Sequence, residues 1–82
     1  MLTITTENSV YSLVQNSVGI FRIIKVKDRT GKSDIPVGRY FEAQKFEVDG
    51  GKVRLKGDEE DEDNVVFTTS YYKKIEGSID KK

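Results

Sequence analysis

The stretch that decides the fold class is residues 20–27, Ile-Phe-Arg-Ile-Ile-Lys-Val-Lys. In an extended strand, Phe21 and Ile23 fall on one face, and Ile24 and Val26 fall on the other. Apolar residues on both faces are typical of a strand that lies inside a sheet rather than at its edge. The stretch therefore predicts a central β-strand, which needs partner strands on both of its sides.

Alternating segments separated by turn sequences supply those partners. The sequence Glu7-Asn8-Ser9 predicts a turn between the first two strands, and Asp49-Gly50-Gly51 predicts a hairpin turn later in the chain. Residues 71–75 continue the last strand or form a short turn. In chain order, the predicted strands comprise residues 2–6, 10–15, 20–27, 39–48, 52–56 and 65–70.

Short strands joined by turns indicate an all-β domain built as a small antiparallel barrel. We expect an SH3-like barrel, with an OB-like barrel as the alternative. A chain of 82 residues is long enough for one domain. The predicted boundaries are a single barrel domain over residues 1–76 and a frayed tail over residues 77–82.

A domain of this size has a thin core, because it buries only about 60% of the surface of its unfolded chain. The apolar phase of each predicted strand indicates which side chains fill that core. We expect Leu2, Ile4, Val10, Leu13, Phe21, Ile23, Val26, Phe46, Val53, Leu55, Phe67 and either Val65 or Val66 inside the domain.

The composition argues against catalysis and against most cofactor chemistry. The chain has no histidine and no cysteine, so a Ser–His pair, a Cys–His pair, a disulfide and a thiolate metal site are all excluded. Neither glycine-rich phosphate-binding motif is present. We therefore predict a protein that is not an enzyme, with no catalytic residues, no cofactor and no metal site.

The sequence also predicts a cytoplasmic location and no membrane partner. No stretch approaches the roughly 20 apolar residues of a membrane span. The N-terminal residues show no basic segment followed by an apolar one, so they do not resemble a signal peptide. The absence of cysteine fits a reducing compartment.

Six consecutive carboxylates interrupt this otherwise basic chain: Asp58, Glu59, Glu60, Asp61, Glu62 and Asp63. A calcium loop of the EF-hand type needs glycine at its sixth position, where this run has Asp63. Like charges in sequence repel each other and favour a solvated loop. We favour that interpretation over an acidic patch facing a basic partner and over a loose divalent-cation site.

The acidic run also brings the whole chain to zero net charge, because without it 14 basic residues face eight acidic ones. A net charge of zero removes the repulsion that keeps protein molecules apart. Mild self-association is therefore predicted.

Basic residues suggest a second kind of site. Lys52, Arg54 and Lys56 share a face at strand spacing, while Lys25 and Lys27 lie on the predicted central strand. Basic faces with stacking aromatics bind nucleic acid, and the aromatics would come from Tyr11, Tyr40, Tyr71 and Tyr72. The alternative is that outward lysines protect edge strands and that the aromatic rings fill the core.

Two terminal segments carry a resemblance to known proteins. They are residues 3–13, TITTENSVYSL, and residues 65–75, VVFTTSYYKKI. They resemble the TT-x-NS-x-Y-x-L and TTS-x-x-x-x-I terminal strands of small uncharacterised bacterial and phage β-barrel proteins. The resemblance covers about a quarter of the chain and implies a small barrel of bacterial or phage origin with no defined activity. The matching positions are Thr5, Thr6, Asn8, Ser9, Tyr11, Leu13, Thr68, Thr69, Ser70 and Ile75.

Two functional hypotheses from different classes remain open. The first is a small non-catalytic protein-interaction module, such as a bacterial or phage accessory factor, that binds a protein partner through residues 58–63, Tyr71 and Tyr72. The second is a nucleic-acid-binding barrel that uses the five basic residues named above. Steeply salt-dependent binding to oligonucleotides would favour the second.

Overall fold

A computed structural model describes residues 1–57 and 65–78, and every regular element in these ranges is a β-strand. The all-β prediction is confirmed. The predicted acidic site, residues 58–63, lies outside the described residues, as does most of the predicted tail. The strands are β1 Leu2–Thr6, β2 Ser9–Gln15, β3 Phe21–Asp28, β4 Tyr40–Ala43, β5 Lys45–Asp49, β6 Lys52–Lys56, β7 Val65–Thr68 and β8 Tyr72–Gly77.

The strands form two antiparallel sheets. One has five strands in the order β4-β3-β2-β1-β8, and the other has three in the order β5-β6-β7. The predicted central strand is confirmed, because β3 pairs with β2 on one side and with β4 on the other. The predicted first hairpin is confirmed as well, with Ile4 opposite Tyr11. Within the described residues, the two sheets do not close into one hydrogen-bonded barrel.

The single strand predicted over residues 39–48 is wrong, because the chain changes sheets at Gln44. Phe41 packs against the core from β4 in the larger sheet, and Phe46 packs against it from β5 in the smaller one. The inward residues are thus odd-numbered before Gln44 and even-numbered after it. A change of phase by one residue is what a strand break produces in an alternating pattern.

The chain crosses back to the larger sheet after β7. Thr69 still bonds to the smaller sheet, since its amide donates to the Val53 carbonyl at 2.9 Å. Three residues further on, β8 begins and pairs with β1 from Tyr72 to Gly77, except at Lys73, which is unpaired at a register shift. The prediction that residues 71–75 continue the last strand or form a short turn is therefore wrong, because most of them belong to a separate strand in the other sheet. Strand β8 extends to Gly77, one residue beyond the predicted domain boundary. Gly77 has φ +89°, and a Cβ there would collide with the Met1 carbonyl oxygen.

The core lies between the inner faces of the two sheets. Phe67 of the smaller sheet stacks on Phe41 of the larger one, with ring centroids 4.3 Å apart, and meets Tyr11 edge-on at 5.6 Å. The fully buried apolar side chains are Leu2, Ile4, Tyr11, Leu13, Ile23, Ala43, Val53 and Leu55. Half-buried side chains that pack against them are Phe21, Phe41, Phe46, Phe67, Tyr72 and Ile75.

The core prediction is correct for most positions and wrong for Val26 and for the choice of Val65 or Val66, since both are exposed. Val26, Val65 and Val66 are 48%, 40% and 41% exposed, and Val10 is half-buried. Val26 has the same phase as Ile24, so it faces outward while Ile23 and Lys25 face inward. At the register shift in β7, Val66 has no partner and Val65 lies opposite the outward Lys56, which places Val65 away from the core.

Candidate functional site

Lys25 was predicted as a nucleic-acid contact, but the structure places it inside the protein. It is 1% exposed, and its Nζ donates a hydrogen bond to the Ile35 carbonyl at 2.5 Å. The same Nζ lies 3.5 Å from Oδ2 of Asp28. Its charge is used within the fold, so Lys25 is not available to a phosphate group.

The hydrogen bond from the Lys25 ammonium to the Ile35 carbonyl holds the long connection between β3 and β4 against β3. The backbone of Lys25 also holds this connection, since its amide donates to the Arg39 carbonyl at 3.0 Å. Asp28 stabilises the turn at the start of this connection. Its Oδ1 accepts a hydrogen bond from the Gly31 amide at 2.8 Å and a longer one from the Thr30 amide. These bonds, the Gly31 amide above all, lower the pKa of Asp28 below its ordinary value, and the nearby Lys25 charge adds to them.

Lys52, Arg54 and Lys56 do share a face, on the outer side of the smaller sheet. Carboxylates of β5 offset the charges of Arg54 and Lys56 there. Arg54 Nη1 lies 3.4 Å from Glu47 Oε1 and 3.2 Å from Asp49 Oδ2. Lys56 Nζ lies 3.6 Å from the same Glu47 oxygen. A phosphate backbone would have to compete with these carboxylates, so this face is less favourable to nucleic acid than the sequence suggests.

The two predicted partner tyrosines have different surroundings. Tyr71 is 66% exposed, and Lys52 Nζ lies 4.7 Å from its ring centroid, in a cation–π contact. Tyr72 is half-buried and packs against the core. Only Tyr71 presents most of its ring to solvent. Lys27 is exposed at the far end of β3, opposite Val10 of β2.

The outer face of the five-stranded sheet carries a surface that the sequence analysis did not select. One cross-strand row on this face runs from Tyr40 of β4 through Ile24 of β3 to Ser12 of β2. Apolar side chains surround that row, and none belongs to the core cluster. We call the following residues the outer apolar patch: Val10, Val14, Ile24, Val26 and Tyr40.

Exposure and charge define this patch further. Tyr40 is 50% exposed and Val26 is 48% exposed, while the other three members are half-buried. Arg22 lies at the rim, with its guanidinium carbon 4.7 Å from the Tyr40 ring centroid and its Nη2 3.2 Å from Glu42 Oε2. The patch is therefore an apolar centre with the Arg22–Glu42 ion pair at its rim.

The described surface includes the following two shallow depressions. One, of about 160 Å³, lies beside the patch and is lined by Val14, Asn16, Ile20, Arg22 and Glu42. The other, of about 280 Å³, lies along the β3–β4 connection. Both are below the range of about 300–1,000 Å³ that is usual for small-molecule sites. In residues 1–57 and 65–78, no group of three or more acidic side chains is placed to hold a metal ion.

Comparison with known proteins gives no family for this chain. No protein-family model, curated protein or solved structure matches it. The described part of the chain has no helix that is long and apolar enough to cross a membrane.

Proposed function

We propose that this protein is a small non-catalytic protein-interaction module, and that the outer apolar patch is the surface that binds its protein partner. The observation that carries the proposal is the uncovered apolar face of the larger sheet. An antiparallel sheet with one solvated face normally alternates apolar-in and polar-out. On β3, Ile24 and Val26 break that rule, and Tyr40 on β4 extends the apolar surface.

The composition of the patch suits a protein surface better than a nucleic acid. Protein interfaces combine an apolar centre with a polar rim, and tyrosine and arginine are among the residues that contribute most to binding. Tyr40 and Arg22 stand together here, and the Arg22 charge is already paired with Glu42. A partner with an apolar surface could cover Val26 and Tyr40 without leaving a buried charge unpaired.

The test compares two double variants. Val26→Asp with Tyr40→Asp places charges in the patch, and Val18→Asp with Val37→Asp places the same charges at sites that are 79% and 58% exposed outside it. A partner captured with the wild-type protein is purified, and its Kd for each variant is measured by calorimetry. We expect the patch variant to bind at least about tenfold more weakly, which corresponds to about 1.4 kcal/mol. Equal affinity for both variants would refute the patch as the contact surface.

Nucleic-acid binding is the second candidate, and the exposed Tyr71 ring next to Lys52 favours it. A base could stack on this ring while Lys52 and Lys56 meet the phosphates. Titration with single- and double-stranded oligonucleotides at two salt concentrations tests this candidate. Steeply salt-dependent binding that Tyr71→Ala weakens would support it. An absence of binding at low salt would remove it.

We extend the proposal to an SH3-like fold, a bacterial or phage origin and a cytoplasmic location. The chain crosses between the sheets at Gln44 and again after Thr69, and these crossings support an SH3-like arrangement in which two small sheets share one core. The resemblance of the terminal segments supports a bacterial or phage accessory factor. The absence of cysteine supports a cytoplasmic location.

A further inference from the structure

Strand β8 is the longest sheet edge in the described structure. It has six residues, against four in β4, five in β5 and four in β7. Among the described strands it pairs with β1 alone. The Tyr72 amide at its start donates to the Gly51 carbonyl at 2.9 Å, and beyond Tyr72 the other side of β8 has backbone N–H and C=O groups without a strand partner. Lys73, Lys74 and Glu76 are exposed, as is expected of an open edge. Such an edge is a template for a further strand.

We propose that this edge binds the β8 edge of a second copy of the chain, so that two five-stranded sheets join into one antiparallel sheet across a two-fold axis. Residues that lie opposite each other in an antiparallel pair point to the same face. Across the two-fold axis, each residue points to the same face in both copies, whereas neighbours along a strand point to opposite faces. A residue therefore cannot lie opposite its neighbour, and the allowed registers place one residue opposite itself. Two such registers overlap five residues of β8, one centred on Lys74 and the other on Ile75. Lys73, which is unpaired at the register shift between β8 and β1, lies inside the first overlap and only at the end of the second.

The charges of β8 select between the two registers. Centring on Lys74 places two ammonium groups directly opposite each other, which is unfavourable. Centring on Ile75 places the two isoleucines together on the inner face, and it places Lys74 opposite the second copy's Glu76 twice. Within one chain, Lys74 Nζ already lies 3.2 Å from Glu76 Oε1. The pairing would complete a group of four alternating charges, two from each copy.

The same reasoning makes self-pairing of the next longest edge less favourable. A five-residue overlap of β5 with its own copy must centre on Glu47, which places two carboxylates opposite each other. The zero net charge of the whole chain also leaves no overall repulsion between copies. Edge β8 is thus the described edge with length and charges suited to a second copy.

Disulfide trapping tests both the contact and its register, because the chain has no cysteine of its own. Single variants Ile75→Cys, Lys74→Cys and Lys73→Cys are oxidised under identical conditions, and Val18→Cys, at a 79% exposed turn position, gives the rate of random collision. Only residue 75 lies opposite itself, at a Cβ separation of about 5 Å. We expect Ile75→Cys to cross-link roughly tenfold faster than the other variants. Fastest cross-linking of Lys74→Cys, or equal rates for all four, would overturn the proposal.

A second measurement avoids the half-buried Ile75. Lys74→Glu and Glu76→Lys change side chains that are 63% and 58% exposed, so neither threatens the fold. In a dimer of either variant alone, residues 74 and 76 of the two copies carry like charges and lie opposite each other. In an equimolar mixture, a dimer with one copy of each variant has opposite charges at both of these positions. A single strand pair buries less than the roughly 1,200 Å² of a standard interface, so sedimentation is followed up to about 1 mM. We expect the wild type and the mixture to dimerise more than either variant alone. A monomeric wild type, or a mixture no more dimeric than its components, would refute β8 pairing.

Discussion

Replacing Lys25 with methionine tests whether a buried ammonium group holds the β3–β4 connection. Methionine keeps most of the apolar stem and removes the charge. The variant loses the 2.5 Å hydrogen bond to the Ile35 carbonyl and the 3.5 Å ion pair with Asp28. A hydrogen bond to a charged group contributes about 1.5–3 kcal/mol net, so its loss sets the scale of the effect.

The environment of Asp28 limits the size of that effect. Removing one member of a fully buried ion pair costs about 3–5 kcal/mol, because the other charge is left unpaired. The Asp28 side chain is 31% exposed and keeps its hydrogen bonds from Gly31 and Thr30. We therefore expect Lys25→Met to lower the free energy of unfolding by about 1–3 kcal/mol.

Urea unfolding measures this loss, with Lys27→Met as the matched control. Lys27 lies on the same strand but is exposed, and its substitution should change stability by no more than about 0.5 kcal/mol. Amide hydrogen exchange should become faster at Gly38 and Arg39 in Lys25→Met. If Lys25→Met is as stable as the control variant, the buried ammonium is only tolerated by the fold and does not hold the β3–β4 connection in place.

Four further predictions follow from single features of the chain. Leu55→Ala should lower the free energy of unfolding by about 2–5 kcal/mol in urea, because Leu55 is fully buried; a loss below about 0.5 kcal/mol would contradict that burial. Gly77→Ala should cost about 1–3 kcal/mol in thermal unfolding, and more than Gly31→Ala, because both have positive φ but only at Gly77 would a Cβ collide with backbone. The lowered pKa of Asp28 contributes stability that is present above the ordinary carboxyl pKa and is lost as the pH falls through the folded pKa; below about pH 4 the wild type should therefore lose more stability than Asp28→Asn. Replacing residues 58–63 with Asn-Gly should keep or raise stability, because a shorter loop costs less entropy to close, and should add salt-sensitive affinity for DNA; failure to fold would show that the run is a structural element.

Strands β1, β2, β3, β6 and β7 could be predicted because their signals are local. The turn at residues 7–9 and the clean alternation of residues 52–56 lie within a few residues of the strands that they define. The apolar faces of β3 correctly indicated a central strand. Each of these predictions needs only the period-two alternation of side chains and the preferences of turn residues.

The division of the strands between two sheets was harder to predict, because it depends on contacts between distant residues. The break at Gln44 does leave a local trace, the change of inward phase between Phe41 and Phe46. The placement of β8 leaves none, since nothing in residues 72–77 indicates that their partner is β1 at the other end of the chain. The SH3-like barrel goes further than these pairings, and it stays a prediction.

The buried Lys25 and the outer apolar patch share one physical cause, the phase of β3. Only one face of β3 is covered by the core, so the strand buries one of two alternating sets of side chains. One set is Phe21, Ile23 and Lys25, and the other is Arg22, Ile24 and Val26. Either choice buries one cation. The observed phase buries the aromatic ring, which packs edge-on against Phe46 with centroids 4.8 Å apart. It also places the Lys25 ammonium near the end of the strand, where the Ile35 carbonyl and the Asp28 carboxylate are within reach. The same choice leaves Ile24 and Val26 on the outer face, so the surface proposed to bind a partner follows from how the core is filled.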